Sequence, residues 1–217
     1  MDIEQARYNM VEQQIRPWDV LNQNVLDLLF KVRREDFVPE AHRALAFVDM
    51  EIPIGHGQTM WTPKLEARVV QEVAIRPSDR VLEIGSGSGY LTALLAMEAA
   101  EVVSVDIQPE FSAAAAHKLR AHGFNNVVLH TADAARDWPD AAGFDVIVLT
   151  GSTPLLSDAF RSRLRVGGRL FAITGESPVM QAQLVTCTAP GAFRSVTLFE
   201  TCVAPLRNAP HPAAFVF

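Results

Sequence analysis

Val81-Leu82-Glu83-Ile84-Gly85-Ser86-Gly87-Ser88-Gly89-Tyr90 changes its period within one short stretch. The apolar run Val81 to Ile84 has the length and branching of a strand. Three alternate glycines follow, and then Tyr90 to Ala99, an apolar stretch of helical length. A strand, a glycine turn and a helix in that order open a βαβ unit. Glycines at such a junction let the backbone turn tightly and approach a ligand closely. In open α/β sheets ligands sit outside the carboxyl ends of the strands, which is where this turn lies. The spacing is GxGxG rather than the GxGxxG of dinucleotide binders, and this speaks against a nicotinamide oxidoreductase.

Outward from this stretch the chain alternates. Val102 to Val105, Val127 to Leu129, Phe144 to Leu149 and Arg169 to Ile173 read as strands. Pro109 to His122 and Leu155 to Leu164 read as helices between them. This order predicts an α/β fold with a doubly wound, mostly parallel sheet. The tail from Phe193 to Phe217 reads as a strand over Ser195 to Phe199 and then as loop. Upstream, residues 1 to about 50 read as an N-terminal helical segment. Ile3, Ala6, Met10 and Val11 share a face, and Arg16-Pro17 stops that helix. Val25, Leu26, Leu28 and Leu29 mark a second helix ending near Phe37-Val38-Pro39. Arg33-Arg34-Glu35-Asp36 reads as a solvated helix end with local pairing. Ile52 to Thr59 carries two glycines and a proline and reads as loop. Thr62-Pro63 then suits an N-cap and first turn, with Leu65, Val69, Val70 and Val73 inward on a helix from Lys64 to Ala74. A single domain over 1–217 is expected: helices and loop in 1–64, and the α/β core with a terminal β segment in 65–217.

Composition narrows the class. The chain has 217 residues, 49% hydrophobic and 20% charged, an ordinary globular balance. The net charge is −6, and the acidic excess is shared by residues 1–80 and 81–217. No basic half or tail offers itself to nucleic acid. Leu91 to Ala100, the longest nearly apolar stretch, is broken by Glu98 and too short to span a bilayer, so no membrane partner is expected. Cys187 and Cys202 are too few for a disulfide framework or a structural zinc site and read as packing residues. A cytoplasmic home is expected. His117, His122 and His130 lack metal-ligand spacing, and no metal is expected. Nothing in the sequence specifies an oligomeric state.

The GxGxG turn with an acid, Glu83, inside its strand resembles the S-adenosylmethionine-dependent methyltransferases of the Rossmann-like class. The resemblance implies that Glu83, Gly85, Ser86, Gly87 and Gly89 form the cofactor loop. Asp106, followed by Ile107, ends the next strand 17 residues beyond Gly89. A carboxylate there can accept from both ribose hydroxyls. Asp133, followed by Ala134, stands four residues past Leu129, where an acid in this class accepts from the adenine amino group. Thr150-Gly151-Ser152 directly follows the strand Phe144 to Leu149 and should face the methyl group or the substrate. Singly, a glycine turn is also a plain connection, and Asp106 and Asp133 are also N-cap residues. Their order and spacing together favour a cofactor site.

The match extends beyond the cofactor motif, and the chain looks like the protein-L-isoaspartate O-methyltransferase family. Met10-Val11 to Ile15, Asp19, Val25-Leu26 and Val32 to Pro39 resemble that family's N-terminal segment. Ile52 to Thr59 resembles its substrate loop, Val166-Gly167-Gly168-Arg169-Leu170 a later motif, and Asp145 to Thr150 the strand ending beside the cofactor. The resemblance implies substrate contacts from Ile54, Gln58, Thr59, Trp61 and Gly151, with Thr59 and Trp61 at the catalytic positions. Two departures stand out. Trp61, preceded by Met60, occupies the place of an active-site Ser, and Gly151-Ser152 the place of two Ala. A Ser→Trp change can remove a hydroxyl donor, reshape the pocket or turn its side chain outward. Restoring Ser is expected to raise isoaspartyl activity if this departure limits it.

The implied reaction is carboxyl O-methylation of L-isoaspartyl residues in damaged proteins or peptides, with repair through a succinimide. A carboxylate acceptor is already ionised at neutral pH and needs no general base. His56, the one candidate base in the loop, reads as solvated. Two other readings stand beside this one. Met60, Trp61, Gly151 and Ser152 motivate a methyltransferase with a different acceptor, and a non-catalytic cofactor-binding relative shares the same motifs.

Overall fold

Asp2 starts the first helix by accepting from the Glu4 and Gln5 amides, and α1 (Ile3–Met10) follows. The computed structural model describes residues 2–212. A π-helical turn, Val11–Ile15, and a 3-10 turn, Arg16–Trp18, carry the chain on until Pro17 stops it. The second helix, α2 (Gln23–Lys31), ends earlier than expected, and 3-10 turns at Arg34–Asp36 and Glu40–Leu45 replace its last part. The expected loop at 52–59 is a hairpin, β1 (Ile52–Gly55) with β2 (Gln58–Met60). His56 and Gly57 turn it with positive φ at both central positions, the geometry that suits strand twist. Helix α3 (Pro63–Val73) begins where Thr62-Pro63 predicts, although the Thr62 side chain makes no capping bond. Leu65, Val69, Val70 and Val73 are buried as expected.

The α/β core continues with β3 (Arg80–Ile84), α4 (Tyr90–Glu98), β4 (Glu101–Asp106), α5 (Pro109–Ala121) and β5 (Val127–Thr131). It ends with β6 (Phe144–Thr153), α6 (Asp158–Ser162), β7 (Leu164–Glu176), β8 (Val179–Ala189) and β9 (Ala192–Thr201). The seven strands stand in the order β5-β4-β3-β6-β7-β8-β9. The first five are parallel, and β8 and β9 add on antiparallel. The sheet is the mostly parallel, Rossmann-like one expected.

Four details depart from the sequence reading. Thr150 to Ser152 lie inside β6, at a register shift, rather than after it. The helix expected over Leu155 to Leu164 contracts to α6, which Ser157 caps by accepting from the Ala159 amide. Strand β8 was not expected, and β7 and β9 outrun their predicted lengths. The last five residues of the tail, 213–217, lie outside the described residues.

Successive strand residues feed opposite faces of the sheet. Val81, Val102, Val146 and Val148 join a core with the N-terminal segment, α3, α4 and α5. Leu82, Ile84, Val103, Ile147 and Leu149 join a second core with Phe160 of α6. The N-terminal segment is tied down by ion pairs, which corrects the solvated reading for Arg34 and Glu35, while Arg33 stays exposed and pairs locally with Glu35 and Asp36. Arg34 and Glu35 are 1% and 2% exposed. Arg34 donates to Glu66 at 3.0 Å and to the carbonyls of Ala46 and Trp61, while Arg7 pairs with Glu35. Cys187 packs in the second core, whereas Cys202 is exposed and is not a packing residue. Among the described residues no helix is long and apolar enough to cross a membrane.

Candidate active site

Strand β3 ends and its glycine loop begins against β6. Gly85 has φ 103°, and a Cβ there would lie 2.1 Å from the Thr150 Oγ1. Only glycine fits this approach. Thr150 Oγ1 donates to the carbonyls of Ile84 and Gly85, each at 2.8 Å, and so pins the loop to the neighbouring strand. Beneath the loop Glu83 is fully buried, and its Oε2 accepts from Thr92 at 2.6 Å and Ser104 at 2.5 Å. Ser86 joins the chain through a 2.6 Å contact with Ser104. Glu83 Oε1 has no partner among the described residues, and burial pushes the carboxyl up to about 8.

Asp106, 6% exposed, closes β4. One oxygen accepts from the Gly87 amide and the other from the Gln108 amide, both at 2.9 Å. Each carboxylate oxygen keeps a lone pair for a further donor. Asp133 is exposed, accepts from the Ala135 amide at 3.1 Å, and receives Asn208 Nδ2 at 2.7 Å.

These groups face one cleft of about 740 Å³, open mouth included. That size suits a small-molecule site. Gly85, Gly87, Asp106, Ile107, Asp133, Ala134 and Thr150 line it from the sheet side. Ile54, Gln58, Thr59 and Trp61 of the hairpin region line the opposite wall, with Gly151 between. Three residues of the expected set do not line it. Glu83 and Ser86 lie under the loop, and Gly89 caps α4. Trp61 is 7% exposed and faces the cleft, so it reshapes the pocket rather than turning outward. The Thr59 hydroxyl donates to Glu51 at 2.8 Å. His56 is half-exposed and packs edge-on against Phe111 at 5.3 Å between ring centres.

Sequence reasoning missed Gln108 and Phe111, which begin α5 as an amide donor and an apolar wall. Proline at the helix start hides Phe111's direction, since pattern alone gives no face to a first turn. It also missed Ala204 to Arg207, a strap across the cleft. The strap is anchored by Ser152 N to Ala204 O at 3.0 Å and Leu206 N to Ser152 O at 2.9 Å. Arg207 Nη2 reaches the His56 carbonyl at 2.8 Å and joins strap to hairpin. These partners are remote in sequence and leave no local signal.

Comparison with known proteins places this geometry. The family described as Protein-L-isoaspartate(D-aspartate) O-methyltransferase matches residues 5–206. A protein-L-isoaspartate O-methyltransferase of Gloeobacter violaceus is 37% identical over 91% of this chain and 96% of its own. One from Rhodopseudomonas palustris is 38% identical over 94% and 96%. A Plasmodium falciparum protein of that description, solved with S-adenosyl-L-homocysteine, shares the fold with a TM-score of 0.80. It is 18% identical, with 92% of this chain and 97% of that one covered. The chain belongs to the protein-L-isoaspartate(D-aspartate) O-methyltransferase family.

Proposed function

We propose that the protein is an S-adenosylmethionine-dependent methyltransferase that esterifies the free carboxylate of L-isoaspartyl residues in damaged proteins or peptides. The observation that carries this reading is the single cleft that brings Asp106 and the glycine loop opposite Gln58, Thr59 and Trp61.

The residues present fit S-adenosylmethionine. The Asp106 carboxylate is held rigidly by two backbone amides and suits a pair of ribose hydroxyls. Asp133 suits the adenine amino group, and Ile107, Phe111 and Ala134 supply apolar walls for the base. Gly85, Gly87 and Thr150 border the sulfonium end. Glu83, Ser86 and Gly89 serve by holding the loop. When bound, the cofactor supplies an electrophilic methyl carbon on a positively charged sulphur.

The chain's own work is alignment and water exclusion. The isoaspartyl carboxylate is ionised at neutral pH, so no residue has to take a proton from it. Ile54, Gln58, Trp61 and Gly151 line the acceptor side, and the strap Ala204 to Arg207 covers it. Thr59 lines the cleft beside them, and its hydroxyl orders the hairpin by donating to Glu51. The ester so formed is a better electrophile than the carboxylate. The following backbone amide nitrogen displaces methanol from it and closes a succinimide, which is the repair step. A cytoplasmic setting suits two cysteines that stay free.

A transfer assay with labelled S-adenosylmethionine and matched isoaspartyl and aspartyl peptides tests this. Transfer to the isoaspartyl peptide alone is expected. Binding of S-adenosylhomocysteine without transfer to either peptide sinks the acceptor assignment and moves the reading to another acceptor, for which Trp61 is the motive.

A further inference from the structure

A second, smaller cavity adjoins the first along the glycine loop. It measures about 340 Å³ with its open side. Ile54, Thr59, Trp61, Gly85, Gly87 and Thr150 line both cavities, so the two are continuous. Asp106 and Asp133 stand only in the large one. A ligand with its ribose on Asp106 and its base toward Asp133 therefore sends its other end past Gly85 and Gly87 into the small cavity.

The small cavity ends on one ionisable side chain among the described residues, Glu66 of α3. Glu66 is 3% exposed. Its Oε2 accepts from Arg34 Nε at 3.0 Å, and its Oε1 has no hydrogen bond among the described residues. Arg34 is fully engaged, because its other nitrogens donate to the carbonyls of Ala46 and Trp61. The carboxylate is thus fixed from behind, with acceptor capacity left toward the cavity. On the opposite side Ser86 and Ser88 lead into the N-terminus of α4, whose backbone dipole favours an anion. One wall suits a cation and the other an anion, the pattern of a zwitterionic amino acid.

We propose that Glu66 accepts the α-ammonium group of the cofactor's amino-acid tail in this cavity, and so selects for a ligand carrying that amine. This rests on the S-adenosylmethionine reading above. Burial pushes the Glu66 carboxyl up to about 7 even with Arg34 pulling it down, and a second cation bound in the cavity opposes that shift further.

Calorimetry with two ligands tests the assignment: S-adenosylhomocysteine, and its analogue with hydrogen in place of the amino group. The wild-type protein should bind the parent ligand about 10- to 100-fold more tightly than the analogue. Glu66→Gln should erase most of that preference by weakening the parent ligand and leaving the analogue within about twofold. Equal weakening of both would make Glu66 a purely structural residue and overturn the proposal, as would no weakening of either. Should Glu66→Gln fail to fold with Arg34 left unpaired, the double variant Arg34→Met with Glu66→Gln carries the same comparison. Equal wild-type affinity for the two ligands overturns the proposal by itself. If the wild-type protein binds neither, the cofactor reading fails instead.

Discussion

Gly151 lies flat against Leu206. A Cβ on Gly151 would stand 3.0 Å from the Leu206 amide nitrogen and 3.1 Å from the Ala204 carbonyl oxygen. With a Cβ there the strap over the cleft would have to give by a few tenths of an ångström, and glycine, where the family resemblance leads one to expect Ala, relieves that crowding. Gly151→Ala should therefore push the strap outward and cost about 1–3 kcal/mol by overpacking. Hydrogen exchange at the Leu206 amide, which donates to Ser152, should accelerate in the variant. Unchanged protection at Leu206 would show that the strap accommodates a methyl group.

Asp106 has two jobs in one carboxylate: it holds the Gly87 amide and faces the cleft. Asp106→Ala removes the ribose acceptor and one anchor of the glycine loop together. S-adenosylhomocysteine affinity should fall by about 1–3 kcal/mol, roughly 5- to 150-fold. Titration calorimetry reads this directly, and an unaltered dissociation constant would remove Asp106 from the ribose site.

Trp61 changes the forecast made from sequence for its replacement by Ser. Its side chain is 7% exposed and packs in the main core while also lining the cleft. Trp61→Ser opens a cavity of nearly a whole indole and should cost about 3–5 kcal/mol. In a domain of this size that lowers the melting temperature by about 10 °C. Trp61→Phe should lose much less. A stable Trp61→Ser protein with raised isoaspartyl transfer would show instead that the indole obstructs the acceptor pocket.

The residues that were legible in sequence are those whose partners are close in the chain. Val81 to Tyr90 announces itself because the period changes where the glycines stand, and Asp106 follows from the end of the next strand. Glu66 and Arg34 were not legible as a pair, since 32 residues separate them and each looks like a surface charge. Strand β8 was missed because Gln181 and Gln183 alternate with small Ala182, which dilutes the apolar signal of a two-residue period. The hairpin at 52–60 reads as loop in sequence because its glycines mark a turn equally well with or without pairing strands. The strap is the extreme case: Arg207 meets His56 across 151 residues of sequence.

Glu83 should give the protein a pH dependence opposite to that of most carboxylates. Desolvation raises its carboxyl to about 8 in the fold, against an ordinary value near 4.5 when unfolded. The folded state therefore binds more protons than the unfolded state between those two values. Stability is fully present below about pH 4.5 and declines as pH rises toward 8, by at most about 1.4 kcal/mol per pH unit for this group. Glu66, raised to about 7, acts in the same direction over the lower part of the window. Glu83→Gln keeps an acceptor for Thr92 and Ser104 and cannot ionise. Thermal unfolding of the ligand-free protein from pH 5 to 9 should show the wild type losing stability as pH rises, and Glu83→Gln losing less, with the gap widening up to about pH 8 and level above it. Parallel curves for the two proteins would mean that Glu83 is ionised in the fold, held by its two hydroxyl donors against the cost of burial.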